Sequence, residues 1–168
     1  MQDITFTDFT DDDWPEIWSI LEPVFRDGAS YPCATDISEN DARSYWVDTP
    51  SRTLVARSGS AGVVGTYYVR PDQLGLGNHI CNCGYIVAER ARGGGLASKL
   101  CIHSQKIARE DGFLGMKFNL VVDTNMAAIK AWTNCGLKII GTTPKAFRHR
   151  THGLVDAHIM YKALTYPP

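Results

Sequence analysis

A glycine-rich junction between an apolar strand and an amphipathic helix is the feature of this 168-residue sequence that most constrains its fold. Apolar residues 85–87 lead into a polar turn that contains Arg90 and Arg92, and three consecutive glycines, 93–95, precede a helical pattern that starts at Leu96. Glycine at a helix entrance lets backbone N–H groups approach an anion without obstruction by a Cβ atom. Because the first N–H groups of a helix have no intrahelical acceptor and lie at its positive end, the junction predicts a phosphate-binding loop.

Two common nucleotide-binding motifs do not fit this loop. The Walker motif requires G-x-x-x-x-G-K-[ST], whereas Lys99 is preceded by Ser98 and followed by Leu100. The dinucleotide fingerprint, G-x-G-x-x-G/A, requires glycine or alanine at its last position, where Gly93-x-Gly95 is followed by Ser98. An idle surface turn is the remaining alternative, but each helical glycine costs roughly 1 kcal/mol, which disfavours three glycines without a function.

Composition restricts the class of protein. Hydrophobic residues make up 44% and charged residues 21%, with a net charge of −1, which is typical of one globular domain over residues 1–168. No basic block indicates nucleic acid, no apolar run approaches the roughly 20 residues of a membrane span, and the N-terminus lacks the pattern of a secretory signal. Five cysteines without framework spacing indicate a reducing compartment, so a cytoplasmic location is expected.

Apolar periodicity and turn residues predict one α/β domain with a mixed sheet. Gly84, inside a predicted strand, indicates a bulge or a close backbone approach. Loops are predicted over 29–37, 71–78 and 144–153. Strands are predicted over 4–9, 53–56, 63–69, 79–87, 118–122, 137–142 and 157–164, and helices over 14–28, 38–46, 96–112 and 124–136.

The loop resembles the acyl-CoA loop of the GCN5-related N-acetyltransferases (GNAT), whose pattern is Q/R-x-x-G-x-G/A. Here the matching run is Arg92-x-x-Gly95-x-Ala97, after Val87. The resemblance implies a central, mostly antiparallel mixed sheet flanked by about four helices. It also implies that the pantetheine arm of acetyl-CoA pairs with the strand near Val87, and that the pyrophosphate binds a segment we call the phosphate loop, residues 92–98, through Arg92, Gly93, Gly95, Leu96, Ala97 and Ser98.

A second run, Asn125-x-x-Ala128-x-x-x-Trp132-x-x-Cys135-Gly136-Leu137, resembles the family's second signature, N-x-x-A-x-x-x-Y-x-x-x-G-F. The resemblance implies that Asn125 begins a helix and helps to bind CoA. An ordinary N-cap is compatible with this role, because capping and ligand contact can coexist. Two signatures in the expected order are more specific than one.

Residues 141–149 and 155–161 resemble a branch of the family that acts on cyclic imino acids such as proline analogues. The implied reaction transfers the acetyl group of acetyl-CoA to the amine of a small molecule by direct attack in a ternary complex. A protein N-terminal or lysine acetyltransferase and a non-catalytic acyl-CoA-binding sensor are the alternatives. Homodimers are common in the family, which leaves a homodimer open.

The proton-transfer residues depart from the family pattern. The strand before the loop has no glutamate that could act as the base. Trp132 occupies the position of the tyrosine that usually acts as the general acid. We expect Asn82 and Asn119, on neighbouring strands beside the acetyl site, and Asn125 to orient the substrate and thioester, with plain sheet or cap hydrogen bonding as the alternative. Tyr85 is a candidate acid or, alternatively, a packing residue.

Three further groups have two interpretations each. His79, Cys81 and Cys83 alternate along a strand, but their spacing matches no standard zinc pattern, so no metal is expected. Tyr31 and Tyr45 are predicted either to line the substrate pocket or to pack. The basic residues of segment 148–152 form a solvated loop or contact an anion.

Overall fold

The computed structural model describes residues 4–164, except for the side chain of Ser60. Seven strands form one sheet in the order β1-β2-β3-β4-β5-β7-β6, and only the β4–β5 pair is parallel. Four helices accompany it, which confirms the predicted fold class. The strands are β1 Ile4–Asp8, β2 Arg52–Ser58, β3 Gly62–Pro71, β4 Ile80–Val87, β5 Gly115–Val122, β6 Lys138–His149 and β7 Gly153–Ala163, and the helices are α1 Trp14–Asp27, α2 Glu39–Arg43, α3 Leu96–Glu110 and α4 Met126–Asn134.

Apolar clusters cover both faces of the sheet. On one face α3 and α4 pack over the sheet through residues such as Leu100 and Trp132. On the other, α1 and the segment after α2 contribute Ile17, Phe25 and Trp46. Within residues 4–164, no helix combines the length and the apolarity needed to cross a membrane.

The two central strands separate soon after they meet. Parallel pairing between β4 and β5 covers only Ile80 with Gly115 and Cys81 with Met116. On its other side β4 stays paired with β3 as far as Val87. The end of β4 therefore has a neighbour on one side and a cleft on the other.

The phase of the β3–β4 ladder decides which backbone groups face this cleft. The Ala88 N–H donates to the Val64 carbonyl at 2.9 Å, and the Asp72 N–H donates to the Ile80 carbonyl at 2.8 Å. Since antiparallel residues alternate between bonded and non-bonded pairs, even-numbered β4 residues direct their backbone groups to β3. The odd-numbered residues 83, 85 and 87 therefore turn their N–H and C=O groups toward the cleft.

Gly84 permits a close approach of the Tyr68 ring to β4 but forms no bulge, so the predicted bulge is wrong. The β3–β4 register runs without a shift past Gly84, which pairs with Tyr68. A Cβ atom on Gly84 would lie 2.5 Å from Tyr68 Cε1. Glycine is required here because the aromatic ring occupies the space of a side chain.

The predicted loop over residues 144–153 is also wrong. Strand β6 continues to His149, a short turn follows, and β7 begins at Gly153. Pro144 does not end β6 because this strand is at the sheet edge and its pairing shifts between Thr143 and Phe147. Within that irregularity Lys145 adopts a φ of 53° and its N–H donates to Asp156 Oδ1 at 2.9 Å.

Candidate active site

A cleft of about 1440 Å³ opens where β4 and β5 separate. Its walls come from the end of β4, the start of α3, the start of α4 and the segment after α1. Every site residue predicted from the sequence lines it: Asn82, Tyr85, Val87, Arg92, Gly93, Gly95, Leu96, Ala97, Ser98, Asn119 and Asn125.

The phosphate loop presents the amino end of α3 to the cleft. Gly93 and Gly95 have φ angles of 81° and 75°, which glycine adopts without strain. The Lys99 N–H donates to the Gly95 carbonyl at 3.2 Å. The preceding N–H groups, of Leu96, Ala97 and Ser98, therefore have no acceptor within α3, and the helix dipole adds positive potential beside them. The geometry suits an anion.

The two arginines of the loop have different positions. The Arg90 guanidinium donates to the carbonyls of Ala61 and Val63 at 3.2 and 2.5 Å, so it fixes the loop to the start of β3. Arg92 is exposed at the mouth of the cleft. Arg92 is thus the better placed of the two to neutralise an anion, a distinction that sequence reasoning did not make.

Tyr31, which the sequence left between two interpretations, both packs and lines the cleft. Its ring contacts Phe25 and Trp46, with centroids 5.6 and 5.5 Å away. Its hydroxyl donates to the Tyr85 carbonyl at 2.9 Å. That carbonyl belongs to the edge of β4 that the departure of β5 exposes. Tyr45 lines the same cleft and packs on Phe25.

Asn82 and Asn119 lie on neighbouring strands, as predicted. Asn82 is buried; its Nδ2 donates to the Lys117 carbonyl at 3.0 Å, and its Oδ1 accepts a long hydrogen bond of 3.5 Å from the Tyr68 hydroxyl. Asn119 is exposed and donates to Asp72 Oδ1 at 2.5 Å. Each Nδ2 thus has one N–H engaged within the protein, and each carboxamide oxygen keeps a lone pair that can accept from a ligand.

The side chain of Tyr85 lies on the face of the sheet that α3 and α4 cover. Its hydroxyl lies 2.7 Å from Ser104 Oγ on α3, and its ring packs against Trp132 with centroids 4.8 Å apart. Burial raises the pKa of the Tyr85 hydroxyl well above its usual value, which makes it a poor proton donor at neutral pH. This environment favours the packing interpretation of Tyr85.

Asn125 begins α4 and caps it, because its side chain accepts from the Ala128 N–H at 3.1 Å. The capping oxygen is engaged, whereas the amide nitrogen is available to the cleft that Asn125 lines. Capping and ligand contact are therefore compatible in this structure.

Arg70 is the cleft residue that sequence reasoning missed. It lies directly opposite Asn82 in the β3–β4 register, and its guanidinium lies 5.1 Å from the Tyr68 ring centroid and 5.8 Å from that of Tyr45. The signal that could have identified Arg70 is its cross-strand pairing with Asn82. That pairing is not readable from the sequence, because it depends on the register of two strands separated by a loop.

The family follows from a match over most of the chain. Residues 14–137 match the model of the acetyltransferase (GNAT) family. The chain is a member of the GNAT family. It is therefore an acetyl-CoA-dependent acetyltransferase, and acetyl-CoA is its cosubstrate.

Known proteins agree with this assignment. A GCN5-related N-acetyltransferase from Kribbella flavida is 36% identical with a TM-score of 0.89, over 95% of this GNAT chain and 97% of that one. The N-acetyltransferase aca1 of Schizosaccharomyces pombe is 28% identical over 79% of this chain and 71% of its own length. A phosphinothricin acetyltransferase from Sinorhizobium meliloti, solved with acetyl-CoA, shares the fold with a TM-score of 0.84 at 19% identity, over 98% and 93% of the two chains.

Proposed function

We propose that this GNAT enzyme acetylates the amine of a small molecule, an amino acid, an imino acid or a related amine, in a ternary complex. The observation that carries the proposal is the continuity of the cleft. One cavity joins the phosphate loop, the exposed edge of β4 and a pocket lined by Tyr31, Tyr45 and Tyr68. A pocket of this kind, apolar with few polar groups, suits a small ligand.

In this proposal the phosphate loop binds the coenzyme diphosphate. The N–H groups of Leu96, Ala97 and Ser98 donate to it, Arg92 neutralises it, and Asn125 contacts it from α4. The N–H and C=O groups of Val87 pair with the pantetheine arm as an added strand does. The neighbouring Ala88 N–H is engaged by Val64, so it does not take part in that pairing.

The exposed β4 edge also supplies a donor for the thioester oxygen. The backbone N–H groups of Tyr85 and Val87 face the cleft because β5 departs, rather than through the bulge that the sequence suggested. A fixed N–H aimed at developing negative charge stabilises it without reorganisation. The edge of β4 thus binds the acetyl donor and polarises it.

The carboxamide oxygens of Asn82 and Asn119 orient the amine by accepting its N–H. A primary alkyl amine has a pKa near 10, so the neutral form costs roughly 4 kcal/mol at pH 7. A neutral amide stabilises the ammonium form less than a carboxylate would. The leaving thiolate has a pKa near 8.5 and departs without a strong acid, so Tyr85 is not needed as one.

Release of free thiol from acetyl-CoA, measured against a panel of amines, tests this function. We expect turnover with small amines and a rate that rises with pH as the amine loses its proton. Acetylation confined to peptide N-termini or lysines would favour a protein acetyltransferase. Thermal stabilisation by acetyl-CoA without turnover of any amine would indicate a sensor and refute the proposal.

We also infer a homodimer formed through the outer edge of the sheet. Strand β6 is one of the two edges of the sheet, and the β6–β7 hairpin exposes Ile139, Ile140 and Leu154 at 46%, 60% and 50%. Light scattering after size exclusion should give twice the 18.6 kDa monomer mass for the wild type, and Ile140→Lys should give the monomer mass. The monomer mass for the wild type would contradict the inference.

A cytoplasmic location is the corresponding proposal for the compartment. All five cysteines are free thiols, and Cys81, Cys83, Cys101 and Cys135 are buried. Free thiols of this number are typical of a reducing compartment. Fractionation of cells that express the tagged chain would test it.

A further inference from the structure

Arg70 is a cationic side chain in the cleft whose charge has no counterpart within residues 4–164. Among the described residues, no carboxylate lies within 4.0 Å of its guanidinium, which lies over the rings of Tyr45 and Tyr68. The carboxylate two residues further along, Asp72, is held by Lys117 Nζ and Asn119 Nδ2, each at 2.5 Å. A guanidinium held against two aromatic faces, with its donors uncommitted, is suited to bind an anion.

The anion is not a phosphate of the coenzyme. Val87, next to the phosphate loop, pairs with Gly65, and Asn82 pairs with Arg70, five residues further along both strands. At a strand rise of about 3.4 Å per residue, Arg70 lies about 17 Å from that end of the cleft. Arg70 therefore lies near the point where β4 and β5 meet, beside the expected acceptor amine.

Arg70 and Asn82 lie opposite each other in the β3–β4 register, so one small ligand can reach both side chains. Directly opposed residues in a hydrogen-bonded antiparallel pair have Cα atoms about 5.5 Å apart, with side chains on the same face. The Asn82 carboxamide oxygen can accept the amine N–H while the Arg70 fork takes both carboxylate oxygens. One small α-amino or imino acid spans the two groups.

We propose that Arg70 binds the carboxylate of the acceptor, so that the substrate is an amine that carries a carboxylate beside its nitrogen. This rests on the proposed small-molecule function. Arg70 is a specificity-determining residue in this assignment. It touches the substrate but not the reacting thioester.

Matched substrates with and without the carboxylate test the role of Arg70. The pairs are L-proline with pyrrolidine, azetidine-2-carboxylate with azetidine, and L-alanine with ethylamine. We expect the wild type to prefer the acids. Arg70→Gln should lower kcat/KM for an accepted acid about 10- to 100-fold, mainly through KM, because it loses a charge-assisted hydrogen bond.

Three controls separate recognition from structure. Arg70→Gln should lower kcat/KM for the acid by a much larger factor than for the matched amine, whereas a packing defect would lower both equally. Arg70→Lys should recover part of the loss, because it keeps the charge but not the fork. Arg109→Gln, the same exchange at an exposed position on α3, should match the wild type.

Product binding keeps the two proposals distinguishable. In calorimetry with the CoA-loaded enzyme, N-acetyl-L-proline should bind the wild type more tightly than Arg70→Gln, and N-acetylpyrrolidine should not discriminate. The role of Arg70 is refuted, and the small-molecule function is not, if the wild type turns over amines without preferring the acids. The same holds if Arg70→Gln loses equal kcat/KM for the acid and the matched amine. Absence of turnover with any amine refutes the small-molecule function, and carboxylate-dependent binding of the product would still support Arg70.

Discussion

Gly95→Glu is the most direct test of the phosphate loop. Gly95 precedes α3 with a φ of 75°, and a Cβ atom built on it meets nothing within 4 Å. A side chain at this position therefore strains the backbone without clashing with the protein. Gly112, just after the other end of α3, has a φ of 86° and equally open surroundings, so Gly112→Glu is a matched control.

The expected magnitudes separate folding from binding. A left-handed conformation costs a non-glycine residue about 1–2 kcal/mol, so both Glu variants and Gly95→Ala should lose about that much unfolding free energy. For binding, a carboxylate about 5 Å from one phosphate charge costs about 1 kcal/mol at the dielectric of water and about 3 kcal/mol at a dielectric of about 20. Gly95→Glu should therefore weaken CoA binding about 5- to 150-fold.

Calorimetric titration with CoA at low and high salt measures this effect. We expect the loss in Gly95→Glu to shrink as salt rises, because exposed charges are screened. Gly112→Glu should bind CoA as the wild type does despite an equal loss of stability, and Gly95→Ala should lie between the two Glu variants. If Gly95→Glu kept wild-type affinity, or if Gly112→Glu lost as much, the diphosphate would not bind at the start of α3.

Substitutions at three further positions test the cap of α4, the packing at Gly84 and the burial of His103. Asn125→Ala should lose both the α4 cap, about 1 kcal/mol in denaturant unfolding, and CoA affinity, whereas Asn125→Asp should keep the cap and lose only affinity; full affinity in both would exclude a coenzyme contact. Gly84→Ala should lose about 1–3 kcal/mol because its Cβ would overlap Tyr68, whereas Gly141→Ala, whose Cβ meets only Ile159 Cδ1 at 3.9 Å, should stay near the wild type; equal values would refute the close approach. Burial lowers the pKa of His103 in the folded state, so the unfolded chain binds a proton there first as pH falls. The free energy of unfolding should therefore fall as pH drops below about 6.5. His103→Gln should flatten that part of the profile of melting temperature against pH, and an unchanged profile would contradict the lowered pKa.

The sequence predicted the features of the cleft that depend on local backbone chemistry. The glycines of the phosphate loop, the start of α3 and the cap of α4 by Asn125 each depend on residues within a few positions of one another, so periodicity and capping rules locate them. The cosubstrate followed from the resemblance carried by the same short runs. What the coenzyme requires is therefore largely encoded in two local segments.

The acceptor side could not be predicted in the same way, because it depends on strand register and on contacts between distant segments. Arg70 pairs with Asn82 across a loop, and the Tyr31 hydroxyl reaches a carbonyl 54 residues away. Arg90 and Arg92 lie two residues apart in one turn, and the sequence does not show that the carbonyls of Ala61 and Val63 hold Arg90. The sequence predicts the sixth strand only over 137–142, because the residues alone do not show that this strand lies at an edge, where proline is tolerated.

Asn82 links the fold to the chemistry. Backbone pairing between β4 and β5 ends at Cys81 with Met116, and the next pair in register would be Asn82 with Lys117. At that position the Asn82 side chain, rather than the backbone, donates to the Lys117 carbonyl at 3.0 Å. It therefore satisfies a partly buried acceptor where the strands begin to part, and the separation exposes the β4 edge that the proposed reaction uses. The two interpretations of Asn82, sheet hydrogen bonding and substrate orientation, are thus compatible. Its Nδ2 donates to β5 at the point where β4 and β5 separate, and its oxygen faces Tyr68 and the acceptor pocket.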